Sequence, residues 1–321
     1  MNNLKKIGLS ALAGSLVAFS VNAVETSISG GATMYMSSGA ESTATGLSMS
    51  DSITFSASGE TDGGIDISIS LELDGDAAND ALDSKSIKFG TDEMGTVTFS
   101  GHGGSSVMSG MDDKTPNAYE EVWDGVTGAD ASVIGGFAGN NLVRYDSPAM
   151  SGVQLHIAYQ DAGTDSAVAG KEKVSTYSDF GVTISPEMVD GLELGYAAGS
   201  YDASATTSGD ENTMYAKYAF GSVTVAYQTS EIDLGTAATT DESEAFGISY
   251  AISDNLSVSY GTHTIDFGSG TTDQEAEGFS ASYTMGGMTI AGMQNTVDNI
   301  DGSTAAANDK EGYEISLSFA F

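Results

Sequence analysis

The sequence predicts an all-β chain: a 16-stranded antiparallel transmembrane β-barrel with a long third loop folded into the pore. Three observations carry this. Apolar and polar residues alternate with a period of two through most of the chain after residue 23, which puts one set on each face of a strand. Short turns and long polar loops follow one another in strict alternation. The last nine residues, Tyr313-Glu314-Ile315-Ser316-Leu317-Ser318-Phe319-Ala320-Phe321, carry a bulky apolar side chain at every odd position and stop on an aromatic.

The chain opens with Lys5 and Lys6, an apolar run from Ile7 to Val21 broken by Gly and Ser, and the small-residue site Val21-Asn22-Ala23. This is the pattern of a secretory signal peptide cut after Ala23. The run is too short to cross about 30 Å of hydrocarbon as a helix, and no stop-transfer flank follows. Residues 1–23 are expected to be removed, and 24–321 to form the barrel. With no cysteine in 321 residues, an exported chain has neither a disulfide framework nor a thiolate metal site. No later segment approaches about 18 consecutive apolar residues, so helical membrane spans are not expected. The 41 glycines follow no triplet, which excludes collagen, and 40% hydrophobic content is too high for a disordered chain. The net charge is −35; without Lys5 and Lys6, eight bases face 45 acids, giving −37. Nucleic acid would be repelled and cations attracted.

The strands follow in order. Ile53-Thr54-Phe55 begins the alternation, and Ile65-Asp66-Ile67-Ser68-Ile69-Ser70-Leu71-Glu72-Leu73 holds it strictly. It returns at Val97-Thr98-Phe99, Val153-Gln154-Leu155-His156-Ile157-Ala158-Tyr159, Leu192-Glu193-Leu194-Gly195-Tyr196 and Val223-Thr224-Val225-Ala226-Tyr227. Phe246-Gly247-Ile248-Ser249-Tyr250, Leu256-Ser257-Val258-Ser259-Tyr260 and Phe279-Ser280-Ala281-Ser282-Tyr283 continue it. A soluble sandwich would alternate too, with its apolar face inward. Two features favour a barrel with its apolar face in lipid. Tyr159, Tyr196, Tyr227, Tyr250 and Tyr260 fall at strand ends, as an interfacial girdle does. The connections are also segregated by length. Seven short ones lie at 60–63, 90–95, 147–152, 185–191, 220–221, 253–255 and 286–287. Eight long ones lie at 37–46, 75–81, 102–140, 161–172, 200–211, 230–241, 266–273 and 296–310. Fifteen connections join sixteen strands, an even count with turns on one rim and loops on the other. Closure satisfies every backbone polar group where lipid offers no partner.

The segment 102–140 is far longer than the 12–15 residues above which loops are usually functional. Sixteen strands enclose a channel too wide for side chains to fill, and this is the connection long enough to fold inside it. It carries Asp112, Asp113, Glu120, Glu121, Asp124 and Asp130 against one base, Lys114. Rings of acidic side chains favour cations, more so where partial desolvation strengthens their field.

With the signal peptide, the mature start Glu25-Thr26-Ser27-Ile28-Ser29-Gly30, the long third loop and the element Arg144-Tyr145-Asp146-Ser147-Pro148 after it, the chain resembles the general diffusion porins of Gram-negative bacteria, in particular the Rhodobacter-type α-proteobacterial group. The resemblance covers the whole mature chain in layout and these patches in detail. It implies an outer-membrane homotrimer in contact with outer-membrane lipid and placed by the barrel assembly machinery. Phe321 is then the assembly signal, and the third loop is an eyelet whose acids face a basic wall. Strand parity puts Lys88, Arg144 and His156 inward. Lys217 is inward too if Met214, Tyr218 and Phe220 face out. Arg144 is the only arginine, so the family's cluster of arginines is missing and the constriction is expected to be mainly acidic.

The expected function is passive passage of small hydrophilic solutes and ions with a cation preference, with no enzymatic chemistry. No cofactor is required. Crowded loop acids could hold Ca²⁺, which takes six to eight oxygens, and so could Asp74, Asp76 and Asp80, without an EF-hand spacing. A substrate-selective channel would need aromatics along the lumen, whereas they fall almost entirely on the outward face. A secreted calcium-binding adhesin would show Asp/Gly repeats at a fixed period, and none appears. His102, His156 and His263 lack zinc spacing. Gly101-His102-Gly103-Gly104 lacks the Lys-Ser/Thr and helix of a phosphate loop, and no Gly-x-Ser-x-Gly elbow occurs. Trp123 is expected to pack the loop against the wall.

Overall fold

The structure, a computed structural model, describes residues 24–38, 46–74, 82–131, 133–135, 139–161, 176–204, 207–233, 235, 240–269 and 272–321. The expected signal peptide, residues 1–23, lies outside them. Sixteen strands follow one another: β1 (Glu25–Ser38), β2 (Gly46–Glu60), β3 (Asp66–Asp74), β4 (Ser84–Thr91), β5 (Gly95–His102), β6 (Leu142–Asp146), β7 (Val153–Gln160) and β8 (Tyr177–Ile184). Then come β9 (Leu192–Ser204), β10 (Thr207–Phe220), β11 (Val223–Asp233), β12 (Thr240–Ser253), β13 (Leu256–Asp266), β14 (Gln274–Met285), β15 (Met288–Asp298) and β16 (Lys310–Ala320). Each pairs antiparallel with its sequence neighbours, and β1 pairs with β16 to close the barrel.

Closure rests on the terminal strand. Gly31 lies opposite Ala320 and Met36 opposite Ile315. Beyond the ladder, Gly30 N–H donates to Phe321 O (3.1 Å) and Phe321 N–H to Gly30 O (3.0 Å). The alternating pattern sorts as expected. Ile28 is 62% exposed and Phe279 66%, in company with Leu155, Ile157, Phe180 and Ile248 on the outer face. Such a continuous apolar surface has no place in water and matches the lipid-facing band of an outer-membrane barrel. The short turns use glycine where the backbone must turn left-handed, as at Gly95 (φ 76) and Gly152 (φ 80).

Two expected loops begin and end in strand. In 200–211, β9 and β10 continue to Ser204 and Thr207, and in 230–241, β11 reaches Asp233 before β12 begins at Thr240. Their outward residues turn from apolar to acidic, as at Asp210, Glu231 and Glu242, while backbone pairing persists. Hydrogen bonding continues above the point where hydrophobic patterning ends.

The packed core lies between the inner wall and the segment joining β5 to β6. Val107, Met108, Met111 and Ile134 of that segment cluster with Leu142, Tyr177, Tyr201, Tyr215 and Ile232 of the wall. A second cluster joins Val126 to Ala276, Val297 and Ile300.

Candidate functional site

The β5–β6 segment has little regular structure of its own, so its backbone groups must find partners elsewhere. They find them on inward-facing wall residues. Met108 N–H donates to Asp179 Oδ2 (2.8 Å), Lys114 N–H to Gln228 Oε1 (2.7 Å) and Ala118 N–H to Ser259 Oγ (2.8 Å). Gln228 Nε2 donates to Met111 O (2.7 Å), and Asn295 Nδ2 to Glu121 O and Asp124 O (2.9 and 2.8 Å). Gln274 brackets Asp130, accepting from its N–H (3.0 Å) and donating to its carbonyl (2.9 Å). Gly139 and Asn140 N–H both donate to Gln160 Oε1. The segment therefore runs along the inner face of the wall from β6 to β16.

Glycines on that face make room for it. A Cβ on Gly181 would sit 2.6 Å from Val107 Cγ1, one on Gly247 2.8 Å from Thr115 Cβ, and one on Gly261 2.9 Å from Val122 Cγ1. Trp123 packs on His263 with ring centroids 4.4 Å apart, the packing role expected of it. The remaining arc, β1–β5, turns hydroxyls inward, as at Ser48, Ser50, Ser52, Thr54 and Ser56.

Three of the expected acids come together: Glu120, Glu121 and Asp124 each place a carboxylate oxygen within 4.8 Å of the others. Asp113 lies close enough to feel the charge of Glu121. Its Oδ1 accepts from the N–H and hydroxyl of Thr115 (2.8 and 2.7 Å). Asp112 is its neighbour, and Asp130 stands apart, near Asp301 and Asp241. Burial is the main force on these groups, and it disfavours the charged form. It pushes the Asp112, Asp113 and Asp130 carboxyls above the usual range. In Asp124, burial, the hydrogen bond with the Glu121 side chain and the charges of Glu121 and Glu120 push it up to about 8. Burial and a hydrogen bond to Glu314 likewise raise the Tyr119 hydroxyl.

The expected basic wall is dispersed. Arg144 donates through Nε to Asp146 (3.0 Å) and through a terminal nitrogen to Ser106 O (3.0 Å). His156 is buried and shares the same Asp146 (2.6 Å) while contacting Thr183 (3.1 Å). Lys217 faces inward opposite Glu193 and Ala226. Lys88, inward and exposed, shares a row with Ser68 and Thr98, the latter paired in turn with Arg144. The one base of the loop, Lys114, has its Nζ 6.0 Å from the ring centre of Tyr215.

Of the other expected calcium ligands, Asp74 ends β3, and Asp76 and Asp80 lie outside the described residues. Glu120, Glu121 and Asp124 are the group with the geometry to hold a metal among the described residues. Sequence reading missed the anchors Gln160, Gln228, Gln274, Asn295, Asp179 and Glu211. Their signal was present: each is a long polar or acidic side chain at an inward position of an alternating strand.

A family model described as Gram-negative porin matches residues 8–302. The chain belongs to that family. No curated protein matches the porin by sequence. Among solved structures it is similar to the anion-selective porin from Comamonas acidovorans, at 14% identity, TM-score 0.68, and 93% of this chain and 100% of that one covered. It is similar to the trimer form of OmpT from Vibrio cholerae at 13% identity and TM-score 0.69, covering 94% and 100%. A mutant of Rh. blastica porin gives 17% identity and TM-score 0.62, covering 92% and 100%. The porin is thus an outer-membrane channel and not an enzyme.

Proposed function

We propose that this porin passes small hydrophilic solutes and ions down their gradients, with a preference for cations. The observation that carries the preference is the gathering of Glu120, Glu121 and Asp124 on the inner loop while Arg144 and His156 are engaged with Asp146. Among the described residues no free basic cluster faces that negative charge, and acidic constrictions favour cations. The barrel shared with an anion-selective protein is neutral on this point, since selectivity resides in the side chains at the narrowing.

We also propose that the porin is a homotrimer, inserted by the barrel assembly machinery with Phe321 as its signal. All nine outward tyrosines lie on β6–β16, for example Tyr159, Tyr227, Tyr260 and Tyr313. The outer face of β1–β5 has none, and carries instead Met34, Met36, Met49, Ile69 and Leu71 with one acid, Asp51, and one base, Lys85. A wall without interfacial tyrosines, its aromatics confined to Phe55, Phe89 and Phe99, suits a protein neighbour better than a lipid–water boundary.

Purified porin in planar bilayers under a KCl gradient tests this reading. The expected result is stepwise conductance in threes with a cation-selective reversal potential. Neutralising Asp112, Asp113, Glu120 and Glu121 together moves that potential towards zero. An anion-selective wild type, or a potential untouched by the four substitutions, overturns the cation assignment.

A further inference from the structure

Beneath the first limb of the loop lies an acidic pair with no base in it. Asp179 on β8 and Glu211 on β10 both stand opposite Gly199 of β9. They are 4% and 1% exposed. Gly199 lets them meet: a Cβ there would lie 2.7 Å from Tyr177 Oη, 3.2 Å from Asp179 Cβ and 3.3 Å from Glu211 Oε1. Tyr177, 1% exposed, bridges the pair, its Oη 3.0 Å from Asp179 Oδ2 and 2.5 Å from Glu211 Oε1. Each carboxyl also grips one limb of the loop. Asp179 Oδ2 accepts from Met108 N–H (2.8 Å), and Glu211 Oε2 accepts from Gly135 N–H (2.9 Å). The two limbs are joined where Ser109 Oγ donates to Gly135 O (2.5 Å). Val107, Met108, Met111 and Ile134 cover the group.

The hydrogens do not balance if both carboxyls are ionised. A tyrosine hydroxyl has one hydrogen, and here it meets two carboxyl oxygens. One can accept it; the other contact needs a hydrogen from the carboxyl. One proton on Asp179, donated to Tyr177 Oη, completes a chain in which Tyr177 donates to Glu211. Asp179 Oδ1 is buried without a hydrogen-bond partner, which is costly for an ionised carboxylate. The titratable and charged groups around the pair are Tyr177 on β8, Tyr201 on β9, Asp112 of the loop and Arg144 on β6. Arg144, the one cation of these, is committed to Asp146 and to loop carbonyls.

We propose that Asp179, Tyr177 and Glu211 are positioning residues that form a one-proton latch: with the proton the loop is seated, and without it the first limb is released. Loss of the proton leaves two adjacent buried negative charges, and they separate by letting go of Met108 and Gly135. The proposal rests on the reading of this loop as the pore constriction, so its test reads the loop directly and not the current. Trp123 is the chain's only tryptophan and lies in the loop against His263.

The experiment follows Trp123 fluorescence of the folded full-length barrel from mildly acidic to alkaline pH. The expected wild-type result is a red shift of emission as pH rises, reversed on reacidification. Asp179→Asn keeps the acceptor for Met108 N–H and holds no titratable proton, so the transition disappears. Glu211→Gln removes it from the other side, and serves if the first variant does not fold. A wild type without the transition, or a transition that survives both substitutions, overturns the latch; survival would place the titration in Asp124 beside Trp123. Cation selectivity unchanged alongside a lost transition would separate this latch from the selectivity of the loop acids.

Discussion

Raising the pH from 7 to 9 should strengthen the cation preference of this porin, and Asp124 is the reason. Its carboxyl is pushed up to about 8 by burial first and by Glu121 and Glu120 next. The sign follows from the direction. A raised carboxyl holds its proton below that value and loses it above, so the constriction gains negative charge as pH rises. Most of Asp124 holds its proton at pH 7 and most has lost it at pH 9, which adds up to one negative charge per pore. A cation passing at roughly 4 Å gains about 1 kcal/mol from that charge in bulk-like water, and about 4 kcal/mol near a protein surface. The pore is wet and salt screens it, so the lower figure governs. About 1 kcal/mol corresponds to roughly a fivefold gain in cation partitioning at the constriction. The assay is the reversal potential of single porins under a fixed KCl gradient at the two pH values. Asp124→Asn is the control and should be flat across the range. A wild-type potential that does not move, or one that moves equally in the variant, refutes the assignment of the proton to Asp124.

Three further outcomes are expected. Gln228→Ala leaves Lys114 N–H and Met111 O without their side-chain partner and should cost about 2–6 kcal/mol, at about 1–3 kcal/mol per orphaned group; a thermal midpoint equal to wild type would mean water replaces the amide. Val225→Arg, on the outer face between Tyr218 and Ile248, should cost about 2–4 kcal/mol in urea titrations of vesicle-folded protein, and no cost would mean the strand parity is inverted. Ca²⁺ in the bath should reduce K⁺ current in wild type and not in an E121Q/D124N double variant, because Glu120, Glu121 and Asp124 approach within 4.8 Å; equal currents with and without Ca²⁺ would remove that metal site.

The barrel was legible because its rules are local. Alternation at period two assigns Val153, Leu155 and Ile157 to one face and Gln154 and His156 to the other without knowledge of any neighbour. Glycine and proline chemistry marks the turns, and the count of connections sets the number of strands. The expected loops at 200–211 and 230–241 begin and end in strand because pairing outlasts the apolar pattern: the strands keep their hydrogen bonds while their outer faces turn acidic. The acids of the inner loop were legible as a set. Which of them meet was not, since Glu120, Glu121 and Asp124 converge while Asp130 sits beside Asp301.

By itself the sequence determined the strand number, the closing strand, the inward and outward residue sets and the acidity of the long loop, all of which follow from spacing along one chain. The tertiary structure alone decided the path of that loop along Gly181, Gly247 and Gly261, the anchoring by Gln228 and Asn295, the commitment of Arg144 to Asp146, and the burial that raises Asp124. The physical reason is that hydrogen-bond partners, desolvation and field strength depend on distances of a few ångströms between residues far apart in the chain, and periodicity carries no information about those distances.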